Sequence, residues 1–190
     1  MTQPKQSGAA NSRQRLIKAA IELFMINGFE QTTVVQIAAR ANLTERTFFR
    51  HFADKREVLF SGSNHLTTFL LNAIQTSDAD MSAFEIVFNA FLQASETIFD
   101  PIHIFAMKRY QIINANPELQ ERECLKLANV SKAISQTLQE RGLPMLDAEL
   151  VSHSNLTLFR IAYEQWATHT EALSLVDTLK RVRSAWKKLH

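Results

Sequence analysis

Apolar residues recur three and four positions apart along nearly the whole chain. Almost every break in that rhythm falls at one of only 4 glycines or 4 prolines, or at a residue suited to cap a helix. No segment alternates as a strand would, so the pattern predicts an all-α chain of about nine helices: a three-helix N-terminal head joined to a larger C-terminal bundle. The first helix spans about Arg13 to Ile26, with Leu16, Ile17, Ala20, Leu23 and Phe24 on one face and Gly28 as its stop. Thr33-Val34-Val35-Gln36 is a capping box that opens a second helix to about Ala41, and a third starts at Thr44. Asp54-Lys55-Arg56-Glu57 has the same start chemistry and opens a long helix to about Thr76 that joins head and body. Ser82 caps a helix to about Phe99, which Pro101 ends. The remaining helices are predicted at Ile102 to Ala115, Pro117 to about Gly142, Asp147 to His169 and Ser174 to Lys188.

At 190 residues the chain buries a core without covalent staples, and its single cysteine, Cys124, excludes an intrachain disulfide. Glu121 and Glu123 flank that thiol and disfavour a thiolate, so it reads as inert. No apolar run is long enough for a membrane span, and residues 1–11 read as a flexible polar arm rather than a signal sequence, so the expected location is the cytoplasm. Net charge is only +2, but it is uneven: residues 1–60 carry 9 basic against 5 acidic groups, 61–150 carry 6 against 11, and 151–190 carry 6 against 3. A basic head on an acidic body is the expected footprint when only the head meets a polyanion.

The specific signal lies in TVVQIAARANLTERTFFRHF, residues 33–52. Two short helices meet at a tight turn there. Ala38 supplies the small residue at their crossing, and Asn42 tolerates the left-handed backbone the turn requires. Ile37, Leu43, Phe48 and Phe52 form the core between them, which turns Arg46 and Arg50 outward. An exposed helix tipped with Thr44, Glu45, Arg46 and Thr47 is able to enter a DNA major groove by its first turn. From the turn alone, an ordinary helical hairpin with two surface arginines fits equally well.

The run Thr47-Phe48-Phe49-Arg50-His51-Phe52-Ala53-Asp54-Lys55-Arg56-Glu57-Val58-Leu59, preceded by Gly28-Phe29 and Thr33, closely resembles the TetR family of bacterial regulators. The likeness is specific over residues 13–60 and architectural beyond. It implies a homodimeric repressor with a DNA-binding domain at residues 12–60 and a ligand-binding and dimerisation domain at 61–190, acting on double-stranded operator DNA that is palindromic. It also implies that Thr33 meets phosphate, that Thr44, Glu45, Arg46 and Thr47 face bases or adjacent phosphate, and that Arg50, His51 and Lys55 grip the backbone. Phe49 stands where the family usually has tyrosine; it reaches a sugar or a thymine methyl but offers phosphate no hydrogen bond. Glu45 has three readings: an acceptor for a cytosine amine, a charge that excludes wrong sequences, or a first-turn acid favouring the helix dipole. Lys5, Arg13 and Arg15 either reach a minor groove or belong to a disordered tail.

Five of the 13 phenylalanines lie between Phe84 and Phe105. With the polar groups on neighbouring helices they suggest an effector site for a small hydrophobic or aromatic molecule, lined by Phe88, Phe91, Phe105, Arg109, Tyr110, Phe159, Tyr163 and Trp166. Such stripes are more often plain core. Arg109 and Glu164 serve as polar anchors, as surface residues or as halves of ion pairs. The last helix shows Leu175, Val176, Leu179, Val182, Trp186 and Leu189 on one face, which packs within the chain or, with the preceding helix, against a second copy as a homodimer. An enzyme is the rival class, yet the chain has no Gly-rich phosphate loop, nucleophile elbow or His pair at metal spacing, and no cofactor is expected. Glu149 and His153 read as a surface pair before a metal site. A helical ligand carrier without DNA binding is the other rival, opposed by the basic face of Arg46, Arg50 and Lys55.

Overall fold

A computed structural model describes residues 6–78, 80–169 and 173–189. Among them are nine α-helices and no strand. The chain forms two compact units: residues up to Gly62 together with Gln111–Gln120, and Ser63–Tyr110 together with Glu121 onward.

In the first unit, α1 (Gln6–Asn27) buries Leu16, Ala19, Ala20, Ile21 and Phe24 and stops at Gly28, whose φ of 83° closes the helix end. It begins seven residues before Arg13, so residues 6–11 of the expected arm are helical, while residues 1–5, Lys5 included, lie outside the described residues. α2 (Val34–Arg40) and α3 (Glu45–His51) follow as the caps predict. Ile37, Ala38, Phe48 and Phe52 are buried between them and α1, with Leu43 half-buried.

The long helix expected from Asp54 to Thr76 is two elements: a 3₁₀ turn at Arg56–Val58 and α4 (Ser63–Gln75). Val58, Leu59 and Phe60 are all buried. Three consecutive side chains cannot all lie on one face of a regular helix, so burial of all three requires that the helix break here and that they meet different neighbours. The Asp54 carboxylate accepts from the Glu57 amide at 3.0 Å, and Arg13 donates to the Ser61 carbonyl at 2.8 Å, which fixes the turn.

The second unit packs α4, α5 (Ala83–Ala94), α6 (His103–Asn114), α7 (Pro117–Glu140), α8 (Met145–Thr168) and α9 (Leu175–Lys187) around Leu70, Ile74, Phe88, Phe91, Ile134, Leu138, Leu158, Phe159, Trp166, Leu175 and Leu179. The end of α6 and the start of α7 extend into the first unit. Pro101 does not end the fifth helix cleanly. The backbone widens into a π turn at Ser95–Phe99 and tightens through a 3₁₀ turn at Asp100–Ile102 before α6. Proline lacks the amide that would continue the ladder and disfavours helical geometry in the residue before it. The Asp100 carboxylate accepts from the Leu175 amide at 2.7 Å, satisfying a donor at the start of α9. Among the described residues no helix is long and apolar enough to cross a membrane.

Candidate functional site

The head presents α3 by local chemistry. The Thr33 hydroxyl accepts from the Gln36 amide at 3.2 Å while the Gln36 side chain accepts from the Thr33 amide at 2.9 Å, so the capping box is complete. Asn42 takes φ 52°, the left-handed turn between α2 and α3. The Thr44 hydroxyl accepts from the Thr47 amide at 3.2 Å and opens α3. Phe48 is fully buried and pins the inner face of α3, leaving Thr44, Glu45, Arg46, Phe49 and Arg50 exposed and Thr47 half-buried. Phe49 is 55% exposed and stands edge-on to Phe48, ring centres 5.5 Å apart. An exposed ring on the same helix as two exposed guanidinium groups is suited to an apolar contact with a base edge.

In the body, the structure brings six of the eight expected effector residues into one chain of contacts. Phe91 stacks on Phe159 at 4.8 Å, Phe159 lies 6.0 Å from Tyr163, and Tyr163 lies 5.6 Å from Trp166 and 6.3 Å from Tyr110. Arg109 hydrogen-bonds Tyr163 and forms a bidentate pair with Glu123, at 3.1 and 2.7 Å. Burial alone would favour loss of the Arg109 proton, but Glu123 and Tyr163 outweigh it and hold the pKa above its usual value. Burial, opposed by the Arg109 charge, pushes the Tyr163 hydroxyl up. Phe88 is buried in the same core but stacks on Phe84 instead, beneath the Arg183 guanidinium at 4.3 Å, and Phe105 is half-buried on α6. Glu164 is exposed. Sequence reasoning missed Phe99, which lies 5.5 Å from both Phe159 and Tyr163, and Glu123. The signal for Glu123 was present: it and Arg109 are 14 positions apart, two helical turns on either side of the Asn116-Pro117 turn, and so face each other across a helical hairpin. Two surface depressions, about 510 Å³ along α8 and α9 and about 180 Å³ beside the α4–α5 connection, are lined by none of the eight.

Residues 16–61 match the family described as bacterial regulatory proteins, tetR family, and residues 81–189 match the MftR C-terminal domain. The chain is 32% identical over 170 residues to the protein called mycofactocin biosynthesis transcriptional regulator MftR of Mycobacterium tuberculosis, covering 84% of this chain and 81% of that one. The chain belongs to the TetR family of bacterial regulatory proteins. This TetR-family regulator is also 37% identical over 87 residues to HTH-type transcriptional regulator TcmR of Streptomyces glaucescens, a match spanning 46% of this chain and 38% of TcmR. Its fold is that of FadR from Bacillus subtilis, solved with stearoyl-CoA, with a TM-score of 0.62 at 20% identity over 90% of this chain and 95% of that one. It is a transcriptional regulator rather than an enzyme, in a family that binds operator DNA and small-molecule effectors.

Two residues of this TetR-family head depart from the roles the resemblance implies. The Lys55 ammonium points inward, donating to the carbonyls of Phe29 (2.8 Å), Glu30 (3.1 Å) and Thr32 (3.3 Å) and lying 4.3 Å from the centre of the Phe29 ring. Those three bonds match the three donors an ammonium has. The Nε2 atom of His51 is buried without a hydrogen-bond partner, and burial, with the Arg50 and Arg13 charges, lowers its pKa.

Proposed function

We propose that this regulator binds a palindromic operator as a homodimer through α3, and that a small hydrophobic or aromatic effector held in the body releases it. The observation that carries the reading is the outer face of α3: Arg46, Phe49 and Arg50 are exposed there because Phe48 is wholly buried behind them. Thr44, Glu45, Arg46 and Thr47 stand at the first turn to contact bases, Phe49 meets a thymine methyl or sugar, and Thr33 and Arg50 contact phosphate.

The last two helices supply the dimer contact. Leu146, Leu150 and Ile161 of α8 are exposed in spite of their size, and the groove they continue into is closed on its other side by Val182, Ala185 and Trp186 of α9. A second copy related by a two-fold axis covers this face and sets two heads on successive turns of the duplex. The effector site is the Phe91, Phe99, Phe159, Tyr163 and Trp166 cluster with Arg109 as its polar anchor. That the similarly folded Bacillus subtilis FadR was solved with stearoyl-CoA supports an effector with a large apolar part. The protein acts where its DNA lies, in the cytoplasm.

Electrophoretic mobility shift on the DNA upstream of the protein's own gene tests the reading. Wild type shifts that DNA, and Arg46→Ala weakens binding by roughly 1–3 kcal/mol while relaxing base choice at one position. Unchanged binding by Arg46→Ala contradicts the placement of α3, and a strict monomer in light scattering at micromolar concentration contradicts the dimer.

A further inference from the structure

The head carries 9 basic residues in its first 60, yet most of their charge is turned to internal work. Arg13 holds the Ser61 carbonyl, Arg40 pairs with Glu22 at 3.0 Å, and Arg56 pairs with Asp54 at 3.0 Å. Two others grip the turns on either side of α2. Lys55 gathers the carbonyls of Phe29, Glu30 and Thr32 before it, and Arg15 of α1 donates to the carbonyls of Ala41 and Asn42 after it.

α2 and α3 have 7 residues each, too short to hold a pose by their own ladders. The amides of Ala41, Asn42 and Leu43 take the carbonyls of Ile37, Ala39 and Ala38 at the end of α2, which leaves the Ala41 and Asn42 carbonyls to Arg15, and the chain turns there through the left-handed Asn42, whose angles set the direction of α3. A cation on those carbonyls therefore fixes the angle at which the outer face of α3 is presented.

We infer that Arg15 and Lys55 are positioning residues for operator specificity, acting through the two turns that bracket α2 and not on DNA phosphate. The inference rests on the reading that α3 enters the major groove. The two roles leave different signatures. Losing a phosphate contact weakens every duplex alike and lowers the slope of log affinity against log salt by about 0.9. Losing a residue that aims the reading helix leaves that slope in place and weakens the correct sequence alone.

The test uses the full chain and a duplex that the wild-type protein selects from a randomised pool, compared with a scrambled duplex of the same composition. Affinity is followed by fluorescence anisotropy between about 50 and 200 mM salt. Arg15→Ala and Lys55→Met are expected to lose about ten-fold on the selected duplex, the scale of one mismatched base pair, with little loss on the scrambled one and an unchanged salt slope. Arg15→Lys, which keeps a donor for the turn, recovers most of the loss. Circular dichroism checks that each variant is folded, and Arg15→Lys and Lys55→Gln carry the comparison if the harsher variants are not. Equal loss on both duplexes with a fall in slope, or no loss on either, overturns the inference. Arg46→Ala separates the two failures: if it too leaves the preference for the selected duplex intact, the reading of α3 fails; if it abolishes the preference while Arg15→Ala and Lys55→Met do not, only the positioning role fails.

Discussion

The head and the body partner their cations differently. In the head, the half-buried Arg13 and Lys55 and the exposed Arg15 bind backbone carbonyls of turns, and the two arginines paired with carboxylates, Arg40 and Arg56, are more exposed than Arg109 or Arg183. In the body, Arg109 is paired with Glu123 and Arg183 with Glu85, each beside aromatic rings. A carbonyl satisfies a guanidinium or ammonium without cancelling its charge, whereas a carboxylate cancels it. The head can thus brace short helices and keep the positive field that attracts DNA, while the body leaves little net charge among its aromatic side chains. The head's braces are local in space around two 7-residue helices; the body's link long helices to one another.

Breaking the body's pair tests that contrast most severely. Glu123→Gln strands the Arg109 guanidinium among aromatic rings and is expected to destabilise the protein by about 3 kcal/mol, read by urea unfolding. Arg15→Ala, which leaves only carbonyls that water can reach, costs nearer 1 kcal/mol in the same experiment. If the two cost the same, the distinction between neutralised and merely hydrogen-bonded cations has no energetic content. Of comparable size is the turn that Arg15 holds: Asn42→Val forces a β-branched residue to positive φ and costs roughly 1–2 kcal/mol, whereas Asn42→Gly is close to neutral. Equal melting temperatures for the two variants would show that the left-handed backbone there is not a constraint.

The smallest effect is the dependence of stability on pH, and it has opposite sense in the two units. His51 has its pKa lowered, so its contribution is complete above the ordinary value of 6.5 and is lost as pH falls through the folded value. Asp54 acts in the same direction at lower pH. Burial opposes that shift, but the hydrogen bonds from Arg56 and the Glu57 amide prevail, so its contribution is complete above the ordinary 3.8 and is lost as pH falls further. Tyr163 has its pKa raised, so its contribution is complete below the ordinary value of 10 and is lost as pH rises through the folded value. Thermal melts across pH should therefore show His51→Gln flattening the acid limb and Tyr163→Phe flattening the alkaline one. Identical limbs in wild type and variants would remove these groups from the account.

What was legible from the amino-acid order is what depends on neighbours a few positions apart. The capping box of Thr33 and Gln36, the cap at Thr44, the left-handed Asn42, the stops at Gly28 and Gly142 and the family motif are all short-range patterns, and the structure contains each. The outward face of α3 follows from the same arithmetic, because a helix with Phe48 inside has no choice about Arg46 and Arg50. Tertiary structure decided the rest. Start chemistry at Asp54 signals a helix but does not reveal that the helix breaks after Val58, with Val58, Leu59 and Phe60 all buried, and resumes only at Ser63. A lysine in the motif reads as a free cation until the carbonyls of Phe29, Glu30 and Thr32, 23 to 26 positions away, are brought beneath it. Periodicity names the buried face of a helix and is silent about which face of which other helix it meets, so the stacking of Phe91 on Phe159, 68 positions away, was decided only by the tertiary packing.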